Sequence, residues 1–221
     1  LAKYDLKAKL CPFSELKKDG MSGYTADGKY TLEYPTPFNM EQESLSLRGR
    51  HNVYNSLAAG LAAHIAGVRD ETLRKCLSNF PGVEHRLEKI CTVGGITYIN
   101  DSKATNVDAC WYALESMRQP TVLILGGVDK GNDYSQIYDL VKEKCIGIVY
   151  MGVDNKKLHD CFDSFGIPTR DTKSMKEAMA ACRELAKEGS TILLSPCCAS
   201  FDLFKNMEDR GEQFKEIAMQ G

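Results

Sequence analysis

The sequence predicts an α/β protein whose larger, C-terminal part is a mostly parallel, doubly wound sheet. Three short runs, at residues 122–125, 146–150 and 191–194, are almost continuously apolar, as expected of parallel strands that helices cover on both faces. Amphipathic runs with the spacing of helices lie between them. Strands that alternate with helices along a chain are typical of this class of fold.

Composition limits the function classes that the chain can serve. The 221 residues are enough for one large domain or two small ones, and an apolar content of 43% supports a buried core. The formal net charge is -2, and no block of lysines and arginines occurs. Nucleic acid and anionic membrane surfaces are therefore not expected as partners. No apolar run approaches the roughly 20 residues of a membrane-spanning helix.

The cysteines indicate a reducing compartment rather than a disulfide framework. There are nine, they are scattered, and no Cys-x-x-Cys pair or zinc-finger spacing with histidine occurs. Cys110, Cys145 and Cys182 have apolar neighbours or lie on apolar helix faces, so we expect them to be small buried side chains. The chain begins Leu1-Ala2-Lys3 without an initiator methionine or a signal-peptide pattern, so we expect it to be a piece of a longer protein, although processing would also explain this start.

The first 81 residues predict a small antiparallel β section followed by two helices. Residues 1–48 are rich in turn residues, and Gly28 lies between two Tyr/Thr-rich stretches, which is a hairpin signal. Apolar residues then follow helical spacing from Val53 to Val68, with Asn52 as the expected N-cap and Gly67 as the end. A second helix is predicted to be capped by Asp70, and Pro81-Gly82 is the predicted domain boundary.

Strands and helices alternate from residue 82 onward. Residues 85–93 and 96–99 predict a hairpin around Gly94-Gly95, and a further short strand is expected near residues 167–170. Helices are predicted around residues 107–117, 137–141, 158–162, 175–185 and 203–218.

Polar residues collect in three loops that follow predicted strands. The loops are residues 100–106, 126–133 and 195–200. Because the carboxyl ends of parallel strands lie at one edge of a sheet, the three loops should meet there. Two of them lead into helix N-termini, which favour anions, and Lys103 and Lys130 add positive charge. The sequence therefore predicts a pocket for a small anion such as a carboxylate or phosphate.

Simpler interpretations of the same residues stay open. Both lysines could be solvated, and Ser200, Thr105 or Asn106 could serve only as helix N-caps. Cys197-Cys198 is interpreted as structural, because no histidine is near in sequence. Residues 126–131 match the start of a phosphate loop, but Asn132-Asp133 replace its Lys-Ser/Thr, so a Walker A site is rejected.

Five segments, taken in order, closely resemble the Mur ligase family, and within it the branch that adds D-glutamate. They are residues 49–55 (GRHNVYN), 85–88 (HRLE), 100–106 (NDSKATN), 126–131 (GGVDKG) and 194–206 (LSPCCASFDLFKN). The resemblance implies residues 1–81 of a central ATP-binding domain and a Rossmann-like C-terminal amino-acid-binding domain at residues 82–221. The family's phosphate loop, its UDP-sugar domain and its main magnesium ligands are absent from this sequence.

The resemblance also implies a reaction and its ligands. The full-length protein would be a cytoplasmic, monomeric, ATP- and magnesium-dependent ligase that joins D-glutamate to UDP-N-acetylmuramoyl-L-alanine through an acyl phosphate. It would act in peptidoglycan synthesis, and hence in cell shape and division. This chain alone is expected to be inactive, and no catalytic residue is assigned to it. Residues implied for ATP are Asn52, Asn55, Arg86, Asp101 and Lys103; residues implied for D-glutamate are Thr105, Lys130, Ser200, Phe201 and Met207.

Two other classes of function remain open from the sequence. One is a sister Mur ligase or a folylpolyglutamate synthase, against which the specific loops at residues 100–106 and 195–206 argue. The other is a non-catalytic Rossmann-like domain that binds an anion or a nucleotide, which the missing phosphate loop keeps possible. A dinucleotide-dependent dehydrogenase is weaker, because no Gly-x-Gly-x-x-Gly follows a strand.

Overall fold

The computed structural model describes residues 7–47 and 49–221. Its internal contacts divide the chain into two compact units, Leu1–Gly82 and Val83–Gly221. In the part of the chain so described, no helix is both long enough and apolar enough to cross a membrane.

The first unit contains a four-stranded sheet and two helices. The strands are β1 (Phe13–Ser14), β2 (Gly23–Ala26), β3 (Lys29–Leu32) and β4 (Phe38–Glu41), and they lie in sequence order. β2, β3 and β4 are antiparallel, and the predicted hairpin turns at Asp27 and Gly28, both of which have positive φ. The short β1 runs parallel to β2. Helices α1 (Arg50–Ile65) and α2 (Asp70–Asn79) pack on this sheet through a common apolar core.

The predicted N-caps of the two helices are wrong, by three residues in α1 and by one residue in α2. Gly49 occupies the N-cap of α1, with φ of 92°, so Asn52 lies inside the first helical turn and is buried. A positive φ suits glycine, which explains why the helix begins there. In α2, Arg69 is the N-cap and Asp70 is the first helical residue. The end of α1 before Gly67 is as predicted.

The second unit is a six-stranded sheet in the order β5-β6-β10-β7-β8-β9. Its strands are β5 (Glu88–Val93), β6 (Ile96–Asn100), β7 (Thr121–Gly126), β8 (Cys145–Met151), β9 (Thr169–Thr172) and β10 (Thr191–Cys197). All neighbours are parallel except the edge strand β5, which pairs with β6 in an antiparallel hairpin. The central strands β7 and β10 are buried along their whole length, as their apolar sequences predicted.

Five helices cover both faces of this sheet. They are α3 (Val107–Ser116), α4 (Tyr138–Lys144), α5 (Lys156–Phe162), α6 (Met175–Leu185) and α7 (Met207–Met219). One apolar cluster joins α3, α4 and α5 to one face, and a second joins α6 and α7 to the other. The predicted α/β, mostly parallel, doubly wound sheet is therefore confirmed. The predicted burial of Cys110, Cys145 and Cys182 is also confirmed, and all nine cysteines are free.

Two element boundaries differ from the prediction. The first strand of the hairpin begins at Glu88 rather than at residue 85, because His85 and Leu87 have φ of 61° and 46°, which a strand cannot accommodate. The last helix begins at Met207 rather than near residue 203, and Asn206 is its N-cap.

Candidate functional site

The candidate site lies at the carboxyl edge of the second unit's sheet, where the loops after β6, β10 and β7 begin. These three strands are parallel neighbours. Leu194 of β10 pairs with Asn100 of β6, and Cys197 of β10 pairs with Gly126 of β7. The strands therefore end side by side, which is where open α/β sheets bind ligands.

Asn100 fixes the start of the first loop from inside the protein. Its side chain is fully buried, and its amide nitrogen donates to Nδ1 of His85 across 2.9 Å and to the carbonyl of Gly211 across 3.2 Å. Its amide oxygen accepts from the backbone N–H of Ser102 at 3.1 Å. A fully satisfied buried amide of this kind specifies one loop conformation.

Asp101 follows as a buried carboxyl group that is 5% exposed. One oxygen accepts from the backbone N–H of Leu87 at 3.1 Å, and the other accepts from the hydroxyl of Ser195 at 2.9 Å. Burial raises the pKa of Asp101 to about 7, against the opposing effect of those two hydrogen bonds. Asp101 thus connects the ends of β6 and β10 to the segment that precedes β5.

The remaining predicted residues of this loop lie nearer the surface. Lys103 and Thr105 are partly exposed, and the backbone N–H of Lys103 donates to the carbonyl of His85 at 3.0 Å. Asn106 caps α3, since its side chain accepts from the N–H of Ala109 at 2.8 Å. Of the two N-caps considered for this loop, Asn106 is therefore the cap and Thr105 is not.

Arg210 of α7 is the central residue that the sequence analysis missed. Its side chain is fully buried, and its guanidinium donates to the hydroxyl and carbonyl of Ser102, at 3.0 and 2.8 Å, and to the carbonyl of Cys198 at 3.1 Å. Burial lowers its pKa to about 10, so it remains a cation at neutral pH. Arg210 therefore joins α7 to the loops after β6 and β10. An arginine on the apolar face that Met207, Gly211 and Phe214 share was the sequence signal for this role.

Glycines allow the loop after β7 to cross the end of β10. Gly126 and Gly127 have φ of 127° and 125°. A Cβ atom at Gly126 would lie 2.5 Å from the carbonyl oxygen of Met151, and one at Gly127 would clash with the carbonyl oxygen of Ala199. The N–H of Val128 then donates to that carbonyl of Ala199 at 2.8 Å. The glycines thus serve close backbone contact between the loops, not a phosphate loop.

Lys130 is exposed at the tip of a turn that Asp129 closes. The carboxylate of Asp129 accepts from the backbone N–H groups of Gly131 and Asn132, at 2.6 and 3.0 Å. Burial opposes ionisation of Asp129, but hydrogen bonds from Tyr134 and from these backbone groups outweigh it and lower the pKa. The turn therefore presents an ammonium group at the rim of the sheet.

The loop after β10 contains the other predicted carboxylate-binding residues. Ser200 is buried and its carbonyl accepts from the N–H of Phe204 at 2.9 Å, whereas Phe201 is 70% exposed. Met207 begins α7, and its carbonyl accepts from the hydroxyl of Ser102 at 2.7 Å. Since Asn206 caps α7, the alternative in which Ser200 is the N-cap is wrong.

The predicted ATP contacts are not all in this unit. Asn52 and Asn55 lie on α1 of the first unit, where the amide of Asn55 donates to the side-chain oxygen of Asn52 at 3.4 Å. Arg86, in the second unit, is exposed just before β5. Each of these assignments stays a prediction.

Magnesium, which the resemblance implies, does not fit the cluster of possible metal ligands found in the described residues. Glu84, His85 and Glu212 place one ligand atom each within 4.8 Å of one another. The ammonium of Lys215 already pairs with Glu84 and, at 3.4 Å, with Glu212. Mg²⁺ prefers an octahedron of oxygen ligands, so a pair of lysine-neutralised carboxylates with a histidine is a poor set.

Known proteins resemble the chain in sequence and in fold. The UDP-N-acetylmuramoylalanine--D-glutamate ligases of Bacteroides thetaiotaomicron and Bacteroides fragilis are 60% and 58% identical to it over 217 residues. Each alignment covers 98% of this chain and 49% of the relative. The chain thus spans about half the length of these relatives. The crystal structure of MurF from Acinetobacter baumannii matches with a TM-score of 0.68 at 18% identity, over 95% of this chain and 47% of that one, and so shares its fold.

A family model identifies the second unit directly. The model described as Mur ligase, glutamate ligase domain matches residues 85–198. That range runs from just before β5 to the end of β10 and includes two of the three loops described above. Since it covers more than half of the chain, the protein belongs to the Mur ligase family.

Proposed function

We propose that this chain is the C-terminal part of an ATP-dependent ligase that joins D-glutamate to UDP-N-acetylmuramoyl-L-alanine during peptidoglycan precursor synthesis. Residues 1–81 would be the end of the central ATP-binding domain, and residues 82–221 the amino-acid-binding domain. The names of the relatives support this substrate pair. The full-length protein would be a cytoplasmic monomer, and the chain alone would not turn over.

The observation that carries the proposal is the junction between the Lys130 loop and the Ser200 loop. The hydrogen bond from Val128 N–H to the carbonyl of Ala199 brings the two loops together at the edge of the sheet. D-Glutamate has two carboxylates, and each needs a cation or several hydrogen-bond donors. Lys130 can provide the first and the Ser200 hydroxyl can contribute to the second.

The remaining proposed contacts to D-glutamate surround this junction. Thr105 lies in the loop after β6, the strand that neighbours β10. Phe201 and Met207 would contribute backbone N–H groups. Met207 is the first residue of α7, a helix of 13 residues, so its N–H lies in the positive end of the helix dipole. A carboxylate is favoured at such a helix end.

The proposed ATP contacts differ in how open they are. The exposed guanidinium of Arg86 can approach phosphates, and the partly exposed Lys103 is proposed to lie near the ribose that Asp101 would bind. Asp101 is buried, but each of its oxygens accepts one hydrogen bond and keeps a lone pair for a ribose hydroxyl. Asn52 and Asn55 are proposed for the adenine. The main magnesium ligands are expected outside this chain.

The proposed chemistry needs little from these residues except position and charge. ATP supplies the phosphoryl group that converts the substrate carboxylate into an acyl phosphate, with release of ADP. The D-glutamate amine then attacks the acyl carbon, and the resulting tetrahedral species expels phosphate as the amide forms. Holding the amine at the acyl carbon is the main task of the amino-acid domain.

Amino-acid selectivity of the full-length protein tests the proposal. The protein is incubated with ATP, magnesium, UDP-N-acetylmuramoyl-L-alanine and one amino acid, and phosphate release and the joined product are measured. We expect turnover with D-glutamate and at least a hundredfold less with L-glutamate, L-alanine or a diamino acid. Turnover with another amino acid instead would identify a sister ligase, and no nucleotide-dependent joining would reject the ligase.

A further inference from the structure

A set of buried and partly buried polar contacts connects the turn that presents Lys130 to the strand that leads to Ser200. The contacts involve Asp129, Asn132, Tyr134 and Cys198, which we call the loop network. Tyr134 is only 2% exposed, and its hydroxyl donates to the carboxylate of Asp129 at 2.8 Å. Asp129 is the residue that closes the Lys130 turn, so the hydrogen bond from Tyr134 to Asp129 stabilises that turn.

The second half of the loop network reaches β10. The side-chain amide of Asn132 donates to the carbonyl of Cys197 at 3.1 Å and approaches the sulfur of Cys198 at 3.4 Å. The hydroxyl of Tyr134 lies 3.2 Å from that same sulfur. Since Cys198 is two residues before Ser200, these contacts fix the distance between the two loops.

The direction of the hydrogen bonds follows from the charges. Burial raises the pKa of Tyr134, so its phenol keeps its single proton at neutral pH. The ionised carboxylate of Asp129 is its best acceptor, which leaves the thiol of Cys198 to donate to the phenol oxygen. Lys157 completes the arrangement by donating to the carboxylate of Asp129 at 3.2 Å and to the carbonyl of Asn132 at 2.7 Å.

We propose that Tyr134 is a positioning residue for D-glutamate binding, acting through Asp129 and Cys198 to hold Lys130 at a fixed distance from Ser200. Tyr134 does not touch the substrate in this scheme. The inference rests on the proposed function, because it names what orders the two carboxylate-binding loops. The position of the two loops matters because displacing a binding group by about 1 Å severely weakens its contact with a charged ligand.

The test removes one hydroxyl from the full-length protein and compares it with a matched removal. Tyr134→Phe keeps the ring that packs edge-on against Phe162 with centroids 5.8 Å apart. Tyr150→Phe is the control. Tyr150 lies on β8, outside the proposed site, is also buried, and donates to the carboxylate of Asp163 at 3.1 Å. The KM values for D-glutamate and ATP are measured, together with hydrogen exchange of residues 126–134.

We expect Tyr134→Phe to raise the KM for D-glutamate about three- to tenfold, chiefly through loss of the hydrogen bond to Asp129, with the KM for ATP unchanged. Exchange of the Gly131 and Asn132 amides should be faster than in Tyr150→Phe. An equal KM for D-glutamate in the two variants, or equal exchange, would overturn the inference. A wild type that does not use D-glutamate would instead reject the proposed function, and exchange alone would then decide whether Tyr134 orders the turn.

Substitutions of Asp129, the acceptor of the hydrogen bond from Tyr134, give a second test of the inference if Tyr134→Phe folds poorly. Asp129→Ala removes every acceptor that closes the turn, whereas Asp129→Asn keeps the oxygen that receives the Gly131 and Asn132 amides. The KM for D-glutamate should therefore rise most in Asp129→Ala and less in Asp129→Asn. Asp154→Ala is the control, since Asp154 also closes a backbone turn, by accepting from the N–H of Lys156 at 3.0 Å. Equal KM values in Asp129→Ala and Asp154→Ala would contradict the inference.

Discussion

The hydroxyl of Ser195 donates a hydrogen bond of 2.9 Å to the carboxyl group of Asp101, across the ends of the neighbouring strands β10 and β6. Both side chains are buried, and Asp101 accepts a further bond from the backbone of Leu87. Two hydrogen bonds do not fully replace water around a carboxylate, so burial still raises the pKa of Asp101 to about 7.

Replacing Asp101 by asparagine should change how stability depends on pH. The folded pKa of about 7 lies above the ordinary value of 3.8. The contribution of Asp101 to the stability of the folded protein is therefore greatest below pH 3.8 and is lost as the pH rises toward 7. Asparagine has no charge to bury and still offers an acceptor to Leu87. We expect Asp101→Asn to be more stable than wild type at pH 8, by about 1 kcal/mol or more, and to differ less at pH 4. Melting temperatures of the full-length protein at both pH values measure this, and parallel pH profiles would contradict it.

Of the charged residues of the second unit outside the rim, Arg210 should be the one whose substitution lowers the free energy of unfolding most. Arg210→Met removes the donor to Ser102 and Cys198 and leaves buried oxygens without partners, which we expect to cost about 3 kcal/mol. Arg210→Lys should rescue little, because an ammonium cannot reproduce the planar fork. Denaturant unfolding measures the cost. The control is Arg170→Met, at an exposed arginine, and a similar loss there would remove the special role of Arg210.

Two glycines of the loop after β7 should respond differently to alanine. At Gly127 a Cβ atom would clash with the carbonyl of Ala199, whereas at Gly131 nothing lies within 4 Å. Both have positive φ, so each substitution costs about 1 kcal/mol from backbone conformation alone. Gly127→Ala should in addition separate the Lys130 and Ser200 loops and greatly weaken D-glutamate binding, as measured by KM. Equal effects on KM in the two variants would show that contact between the loops is not required.

His159 should stabilise the second unit only while it is protonated. Its ring nitrogens lie 2.8 Å from Asp163 and 2.6 Å from Asp171, and hydrogen bonding to Asp163 is the main cause of its raised pKa. The stabilisation is complete below the unfolded pKa of about 6.5 and is lost as the pH rises through the higher folded pKa. His159→Gln should therefore lower the melting temperature at pH 6 and have no effect at pH 9. Because the ring is partly solvated, the effect should stay below about 1 kcal/mol.

The fold was more predictable from the sequence than the inner structure of the site. Continuous apolar runs were enough to identify β7 and β10, since strands buried on both faces have few other sequences. Local signals also indicated the glycine turn at Gly94-Gly95. The cap at Asn52 was wrong because Gly49, with its positive φ, is a better start for α1.

Residues that act over long sequence distances could not be predicted. Arg210 contacts Ser102, which is 108 positions away, and Tyr134 contacts Cys198, which is 64 positions away. No local period or spacing encodes such pairs, because they arise from the order of strands in the sheet. Local sequence patterns therefore predict residues for the rim, while the buried groups that hold the loops of the rim in place became visible only with the strand order β6-β10-β7.

The central claim is that Lys130 and Ser200 bind D-glutamate in the full-length ligase. Steady-state kinetics of Lys130→Ala and Ser200→Ala test it most directly, with Lys156→Ala as the control, because Lys156 is an exposed lysine paired with Asp160 on α5. We expect both site variants to raise the apparent KM for D-glutamate at least tenfold, and more than the KM for ATP, while the control leaves both values near wild type. Unchanged D-glutamate kinetics in both site variants would contradict the claim.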